Sequence, residues 1–263
     1  MTRETLASRG RTRVTRGAEA VTVPGALSGW AALLEKFGTI SLAEALAPAI
    51  RIAGEGFPVT PIIADDWAGS VNLLSRDAAA RETFLLDGKR APAAGEWFRN
   101  PDLAATLRTV AANGPKELYG GALGRRIALH VQAQEGFLTD ADFAAHTAEW
   151  IQPISVPYKG FRLWELPPNS QGVAALEMLR LVEPYDLKAM GHNSPDYLHH
   201  LIEAKKIAHA DLDRYVGDPE FMTTTPETIL SDAFIGKRRA LIDPAKAQDR
   251  VEAGMLQCRG STT

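Results

Sequence analysis

One cysteine, Cys258, stands among 263 residues. No intrachain disulfide can form from it, so nothing in the chain calls for an oxidising compartment. No apolar run approaches the ~20 residues that a membrane-spanning helix needs. The first residues, Met1-Thr2-Arg3-Glu4-Thr5-Leu6, carry no apolar core behind their charges and so do not read as a signal peptide. If Met1 is the true start, a cytoplasmic protein is expected. An excess of one charge is lacking too: 29 Lys and Arg face 32 Asp and Glu, for a net charge of −3 and a pI near 6.1. That balance argues against a dedicated nucleic-acid binder, which would show a basic face or stripe. The one basic cluster, Arg9, Arg11, Arg13 and Arg16, alternates with Gly and Thr and reads as a solvated, partly ordered arm. There is no internal repeat and no HExxH zinc motif. No glycine-rich loop follows a predicted strand, so a nucleotide fold has no support.

What is present is enough apolar material to build a core. Hydrophobic residues make up 45% of the chain and charged residues 23%, as in an average soluble globular protein. The length suits one large domain or two small ones.

Helix signals dominate. Pro24 and Gly25 open an apolar-periodic run through Trp30, Leu33, Leu34 and Phe37 that stops at Gly38. Ser41-Leu42-Ala43-Glu44 reads as a capping box for a helix that Pro48 should kink and that the Gly54 to Pro58 cluster ends. Asn100-Pro101-Asp102, Ser194-Pro195-Asp196 and Thr225-Pro226-Glu227 each set a capping side chain before proline, with an acid in the first turn. Between these helices, residues 151–158 and 161–166 flank Lys159-Gly160 and predict a β-hairpin, its first strand an edge strand because of Pro153 and Pro157. Pro167-Pro168-Asn169-Ser170-Gln171-Gly172 then leads into a helix through Leu176, Leu179 and Val182. Helices with a single hairpin predict an α+β fold.

Five stretches in order carry a resemblance. Val21-Thr22-Val23-Pro24-Gly25-Ala26, continuing to Gly29-Trp30, is the first; the capped helix from Ser41 to Ala53, with its exit Glu55-Gly56-Phe57-Pro58-Val59, is the second. Glu165-Leu166-Pro167-Pro168-Asn169-Ser170-Gln171-Gly172 is the sharpest. Gly191-His192-Asn193-Ser194 follows, then Glu203-Ala204-Lys205-Lys206 with the run from Asp211 to Pro219. Together, over roughly Val21 to Asp243, they resemble the large subunit of the γ-glutamyltransferase family, truncated at both ends.

The resemblance implies a precursor that cuts itself into two chains. Residues 1–261 would be part of the large subunit, and residues 262–263 the start of a small subunit. The pair would fold as a four-layer αββα sandwich of the N-terminal-nucleophile hydrolase type, of which this chain is the helix-rich portion. It would remove the γ-glutamyl group from glutathione and similar amides and pass it to water or an amine, with no cofactor and no metal. The implied partners are a small-molecule γ-glutamyl substrate and the small subunit of the same precursor; neither a nucleic acid nor a membrane span is implied. Relatives of the same architecture act on glutaryl side chains of cephalosporins or on oxamate, and the residues that would decide between these substrates follow the nucleophile. A chain holding so little of the catalytic apparatus should be inactive alone, and a non-catalytic remnant that binds a partner is the reading from another class.

The chain ends Arg259-Gly260-Ser261-Thr262-Thr263, and a small residue before a Thr-Thr pair resembles the family's cleavage junction. Thr262 is therefore the candidate nucleophile, with Thr263 or the next residue as alternatives of register. An N-terminal threonine suits the work because its own α-amine, once freed, can serve as the base for its hydroxyl. The family also uses a large-subunit arginine for the substrate's α-carboxylate, a pairing that bidentate geometry favours. Arg3 lies too close to Pro24 for that role, so this arginine is expected before Met1.

Other residues invite metal readings. His199 and Glu203 share a helix face next to His200, but further zinc ligands are lacking. Asp211, Asp213 and Asp218 depart from a calcium loop, since Tyr215 takes a ligand position, Gly217 comes one residue late and Met222 replaces the bidentate glutamate. Asp213 and Arg214 are instead expected to pair, and Cys258 to be a small packing residue.

Overall fold

A computed structural model describes residues 3–256 of the chain. They form two compact units that meet in the chain between Glu149 and Trp150.

The first unit is built of helices: α1 (Arg3–Ser8), α2 (Ala26–Phe37), α3 (Leu42–Glu55), α4 (Pro61–Gly69), α5 (Val71–Leu74), α6 (Ala78–Phe84), α7 (Pro101–Asn113), α8 (Ala122–Ala133) and α9 (Asp140–Ala145). The predicted caps are present. Ser41 N–H donates to Glu44 Oε2 at 2.8 Å, and Glu44 N–H donates back to Ser41 Oγ at 3.2 Å. Asn100 Oδ1 takes the Leu103 N–H at 2.9 Å. Helix α3 runs from Leu42 through Pro48 to Glu55 and packs against α7. Leu27, Leu46, Val110, Val131 and Phe143 meet in its core. A two-residue antiparallel ladder, β1 (Phe57–Pro58) with β2 (Trp97–Phe98), sits beside Trp67, whose ring lies 4.7 Å from that of Phe98. The basic arm is tied down at its root: Arg9 reaches Glu19 and the Glu135 carbonyl, both at 2.7 Å, with its guanidinium over Phe137.

The second unit opens with the predicted hairpin, β3 (Ile154–Tyr158) and β4 (Phe161–Glu165), antiparallel with Val156 opposite Leu163. Its turn residues, Lys159 and Gly160, both have positive φ, 48° and 86°. That is the two-residue turn whose twist matches paired strands. Then come α10 (Gly172–Val182), α11 (Leu187–Met190), α12 (Pro195–Tyr215), α13 (Pro226–Ile229) and α14 (Asp232–Arg239). Ser194 caps α12 through the Tyr197 N–H at 3.2 Å. Helix α10 lies against α12, α14 and the hairpin, and Leu181, Val182, Ala204, Ile207 and Ile235 form the apolar core. The helix-rich α+β class expected from the sequence is the one observed.

Candidate functional site

Thr262 and Thr263 lie outside the described residues, as does Cys258. What can be described is the ground leading to them. After α14 the chain turns back, and residues 248–256 run alongside α12 in the same direction.

Helix α12 holds this tail by one stripe of side chains. Glu203 accepts the Gln248 N–H at 3.2 Å and its Nε2 at 3.0 Å, while Lys206 Nζ reaches the Gln248 carbonyl at 2.7 Å. Asp211 Oδ1 accepts the Gly254 N–H at 2.6 Å. The Tyr215 hydroxyl donates to the Gly254 carbonyl and accepts the Leu256 N–H at 3.2 Å. Positions 203, 211 and 215 are spaced by eight and four, which keeps them on one face of a helix. From α14, Arg238 adds a bond to the Glu252 carbonyl at 2.9 Å. Gly254 is needed where it sits: a Cβ there would lie 2.6 Å from the Phe234 ring and 2.7 Å from Arg238 Cδ. An apolar cleft of about 530 Å³ opens at the end of this run, lined by Tyr215, Phe221, Met222 and Met255.

Four carboxyl or guanidinium side chains of these helices are buried: Asp211, Arg238, Glu177 and Glu203. Asp211 is fully buried and binds Arg238 Nε at 2.7 Å; the arginine is itself buried. Glu177 on α10 is fully buried too, and no donor among the described residues points at either of its oxygens. Burial, reinforced by the neighbouring Asp211 carboxylate and only partly offset by Arg238, pushes the Glu177 carboxyl up to about 9. It therefore holds its proton at neutral pH. Glu203 behaves oppositely. Burial would raise it, but hydrogen bonds from Lys206 and Gln248 outweigh that and hold it below the ordinary carboxyl value.

The metal readings find other uses for their residues. His199 Nε2 bonds the Asp243 carbonyl at 2.7 Å, His200 Nδ1 bonds the Asp196 carbonyl at 2.8 Å, and Glu203 is taken by the tail. Among the described residues no three His, Cys, Asp or Glu side chains converge as a metal site would require. The expected Asp213–Arg214 pair is corrected: both are exposed, and the buried ion pair of this segment is Asp211 with Arg238. A neighbour in space outcompetes a neighbour in sequence because successive helical residues point away from each other.

In the first unit, Ser28 and His146 approach as a nucleophile and base would, with Oγ to Nε2 at 2.8 Å. Ser28 has one hydroxyl hydrogen, and the Gly25 carbonyl takes it at 2.7 Å. The imidazole must then donate to Oγ, which is the wrong direction for activating a nucleophile. The knot is structural: Tyr119 accepts the Ser28 N–H at 3.0 Å and donates to the Pro24 carbonyl at 2.7 Å, fastening the Val23-Pro24-Gly25 turn. The Pro167 to Gly172 turn is equally tight, since a Cβ on Gly172 would meet Glu165 Cβ and the Leu166 carbonyl at 2.8 Å.

These turns and helices match a known protein family. The family model described as Gamma-glutamyltranspeptidase matches residues 1–262. The chain belongs to that family. Over 233 residues it is 40% identical to the "Acylase ACY 1 proenzyme" of Pseudomonas sp. (strain SE83), covering 88% of this chain and 42% of that protein. It is 32% identical to the "Glutathione hydrolase proenzyme" of Escherichia coli (strain K12), over 87% of this chain and 40% of that protein. Among solved structures it superimposes on the gamma-glutamyltranspeptidase of Helicobacter pylori with a TM-score of 0.88 at 26% identity, over 100% of this chain and 77% of that one. The chain thus spans about two fifths of the length of these curated relatives, and has the fold of this family's N-terminal-nucleophile hydrolases in its helix-rich portion. The stripe on α12 and the buried acids went unseen in the sequence reading. Their signal was available in Glu203, Asp211 and Tyr215 on one face of a helix that also buries Ile207.

Proposed function

We propose that this chain is the large-subunit portion of a self-cleaving gamma-glutamyltranspeptidase precursor whose nucleophile is Thr262. The observation that carries the reading is the family match running to residue 262, where Ser261 meets the Thr-Thr pair. Cleavage before Thr262 frees its α-amine as a base. The Thr262 hydroxyl then attacks the γ-carbonyl of a γ-glutamyl amide, the amide nitrogen leaves with a proton, and an ester remains on the threonine. Water or a second amine attacks that ester and restores the hydroxyl. The residues that grip substrate and stabilise the oxyanion would come mainly from the small subunit.

The exposed side chains of Phe161, Trp164 and Leu166 and the open edges of the two-stranded hairpin support a partner face there, since such edges are otherwise liabilities. The test is a full-length form assayed for p-nitroaniline release from γ-glutamyl-p-nitroanilide. We expect release, with a smaller chain beginning at Thr262. No release from correctly cleaved protein would remove the γ-glutamyl substrate and keep the fold.

A second reading has its own support, because the relative at 40% identity is named an acylase and the one at 32% a glutathione hydrolase. In that case the cleaved protein would hydrolyse a glutaryl amide in preference to a γ-glutamyl amide. The two substrates differ by the α-amino group, so side-by-side kcat/KM values decide between them.

A further inference from the structure

The Gly191-His192-Asn193-Ser194 stretch and the Lys159-Gly160 turn meet at a cleft that the chemistry proposed for Thr262 does not use. The cleft holds about 520 Å³. Its walls come from three parts of the second unit: Tyr158 and Lys159 from the hairpin, Leu187 and Lys188 from α11, and His192 and Tyr197 from the entry to α12. We propose that this cleft binds the phosphate group of a small phosphate monoester, with Lys159, Lys188 and His192 around the phosphate and the two tyrosine rings beside the organic part.

The walls are fixed by contacts of their own. Lys159 Nζ donates to the Tyr185 carbonyl at 3.3 Å, which ties the hairpin turn to the residue before the α11 cap. That bond uses one of the three ammonium hydrogens. Gly191 and Asn193 have positive φ, 84° and 57°, so the chain turns on each side of His192. The His192 ring lies 5.7 Å from that of Tyr197, edge to face. Among the described residues, none of Lys159, Lys188 and His192 pairs with a carboxylate, and neither the Tyr158 nor the Tyr197 hydroxyl has a hydrogen-bond partner. Two ammonium groups, an imidazole and two phenols therefore line one cleft with donors unspent. The one acid of the wall, Asp186, is engaged already: its Oδ1 accepts the Ala189 N–H at 3.0 Å as the cap of α11.

Unspent donors of this kind select an anion rich in acceptors. An arginine fork would favour a planar carboxylate, whereas lysine acts as a point charge and suits the tetrahedral oxygens of a phosphate. The cleft is roomier than a bare phosphate requires and falls among the sizes that hold small organic ligands. Tyr158, Leu187 and Tyr197 supply apolar surface for the remainder. None of these residues belongs to the tail, so the cleft would bind whether or not the chain is cut.

The test is a calorimetric titration of the full-length form with phenyl phosphate, with inorganic phosphate and benzoate titrated alongside. We expect phenyl phosphate to bind more tightly than either. Lys159→Met and Lys188→Met, both at exposed positions, should fold by circular dichroism and each weaken phenyl phosphate by about tenfold, the usual scale of a hydrogen bond to a charged group. Asp186→Asn keeps a capping side chain and removes the like charge, so it should bind more tightly. Lys205→Met, at an exposed position of α12 outside the cleft, should change nothing. No binding of phenyl phosphate overturns the proposal. An equal loss in Lys205→Met overturns it too, because that would be diffuse attraction to surface cations. Benzoate bound more tightly than phenyl phosphate would make the cleft a carboxylate site and sink the phosphate. Should one lysine variant fail to fold, the other decides: binding unchanged in it overturns the proposal.

Discussion

Glu177 is an acid kept from acting as one. Its folded pKa near 9 lies above the ordinary 4.5, so the folded chain holds a proton that the unfolded chain has already released over that interval. The consequence has a definite sign. Stability from this group is fully present below the ordinary carboxyl value and declines as pH rises toward the folded one. We expect the urea midpoint of the second unit's unfolding to drop between mildly acidic and alkaline pH, and Glu177→Gln to flatten that slope. A slope unchanged in the variant would assign the decline to other groups. Sequence reading could not reach this residue, because Glu177 looks like any helical glutamate until α12 and α14 close over it. The same blindness produced the Asp213–Arg214 pairing: adjacency in the chain was visible and the Asp211–Arg238 contact, 27 residues apart, was not.

At the scale of elements the sequence was far more legible, because caps and turns are local chemistry. Ser41, Asn100, Ser194 and Thr225 each accept the amide three residues on, and Lys159-Gly160 turns the hairpin as expected. Ser41→Ala should cost about 1 kcal/mol of stability, the usual value of an N-cap, and a chemical denaturation curve reads it directly. A change under a few tenths would mean that Glu44 and solvent replace the serine. The sequence does not single out α1, α4, α5, α6, α8, α9, α11 or α14. Side-chain caps are present on α6, α9, α11 and α14, from Asp77, Thr139, Asp186 and Ser231, but α6, α9, α11 and α14 span only four to eight residues each, too few to show an apolar stripe in the sequence. For α4, with no side-chain cap and a largely exposed surface, packing decides the element, and packing is not written locally.

For the whole molecule, family and fold class were readable because five motifs occur in order, and each turns out to be a tight structural device. Pro24-Gly25 is fastened by Tyr119, and Gly172 admits no Cβ. The chemistry itself was legible only as the proposal at Thr262, which lies outside the described residues. In a full-length form, Thr262→Ala should give one uncut chain by intact mass and no turnover, whereas Thr262→Ser, which keeps a hydroxyl, should still divide. Division of the alanine variant at the same bond would move the nucleophile to a neighbouring position.

The run of residues 248–256 beside α12 has a mechanical meaning. It is moored at Gln248, Glu252, Gly254 and Leu256. A thread knotted at four points does not recoil when it is severed past the last knot. A cut beyond Leu256 leaves all four of these bonds in place, so the chain as far as Leu256 needs no new support once the backbone is divided.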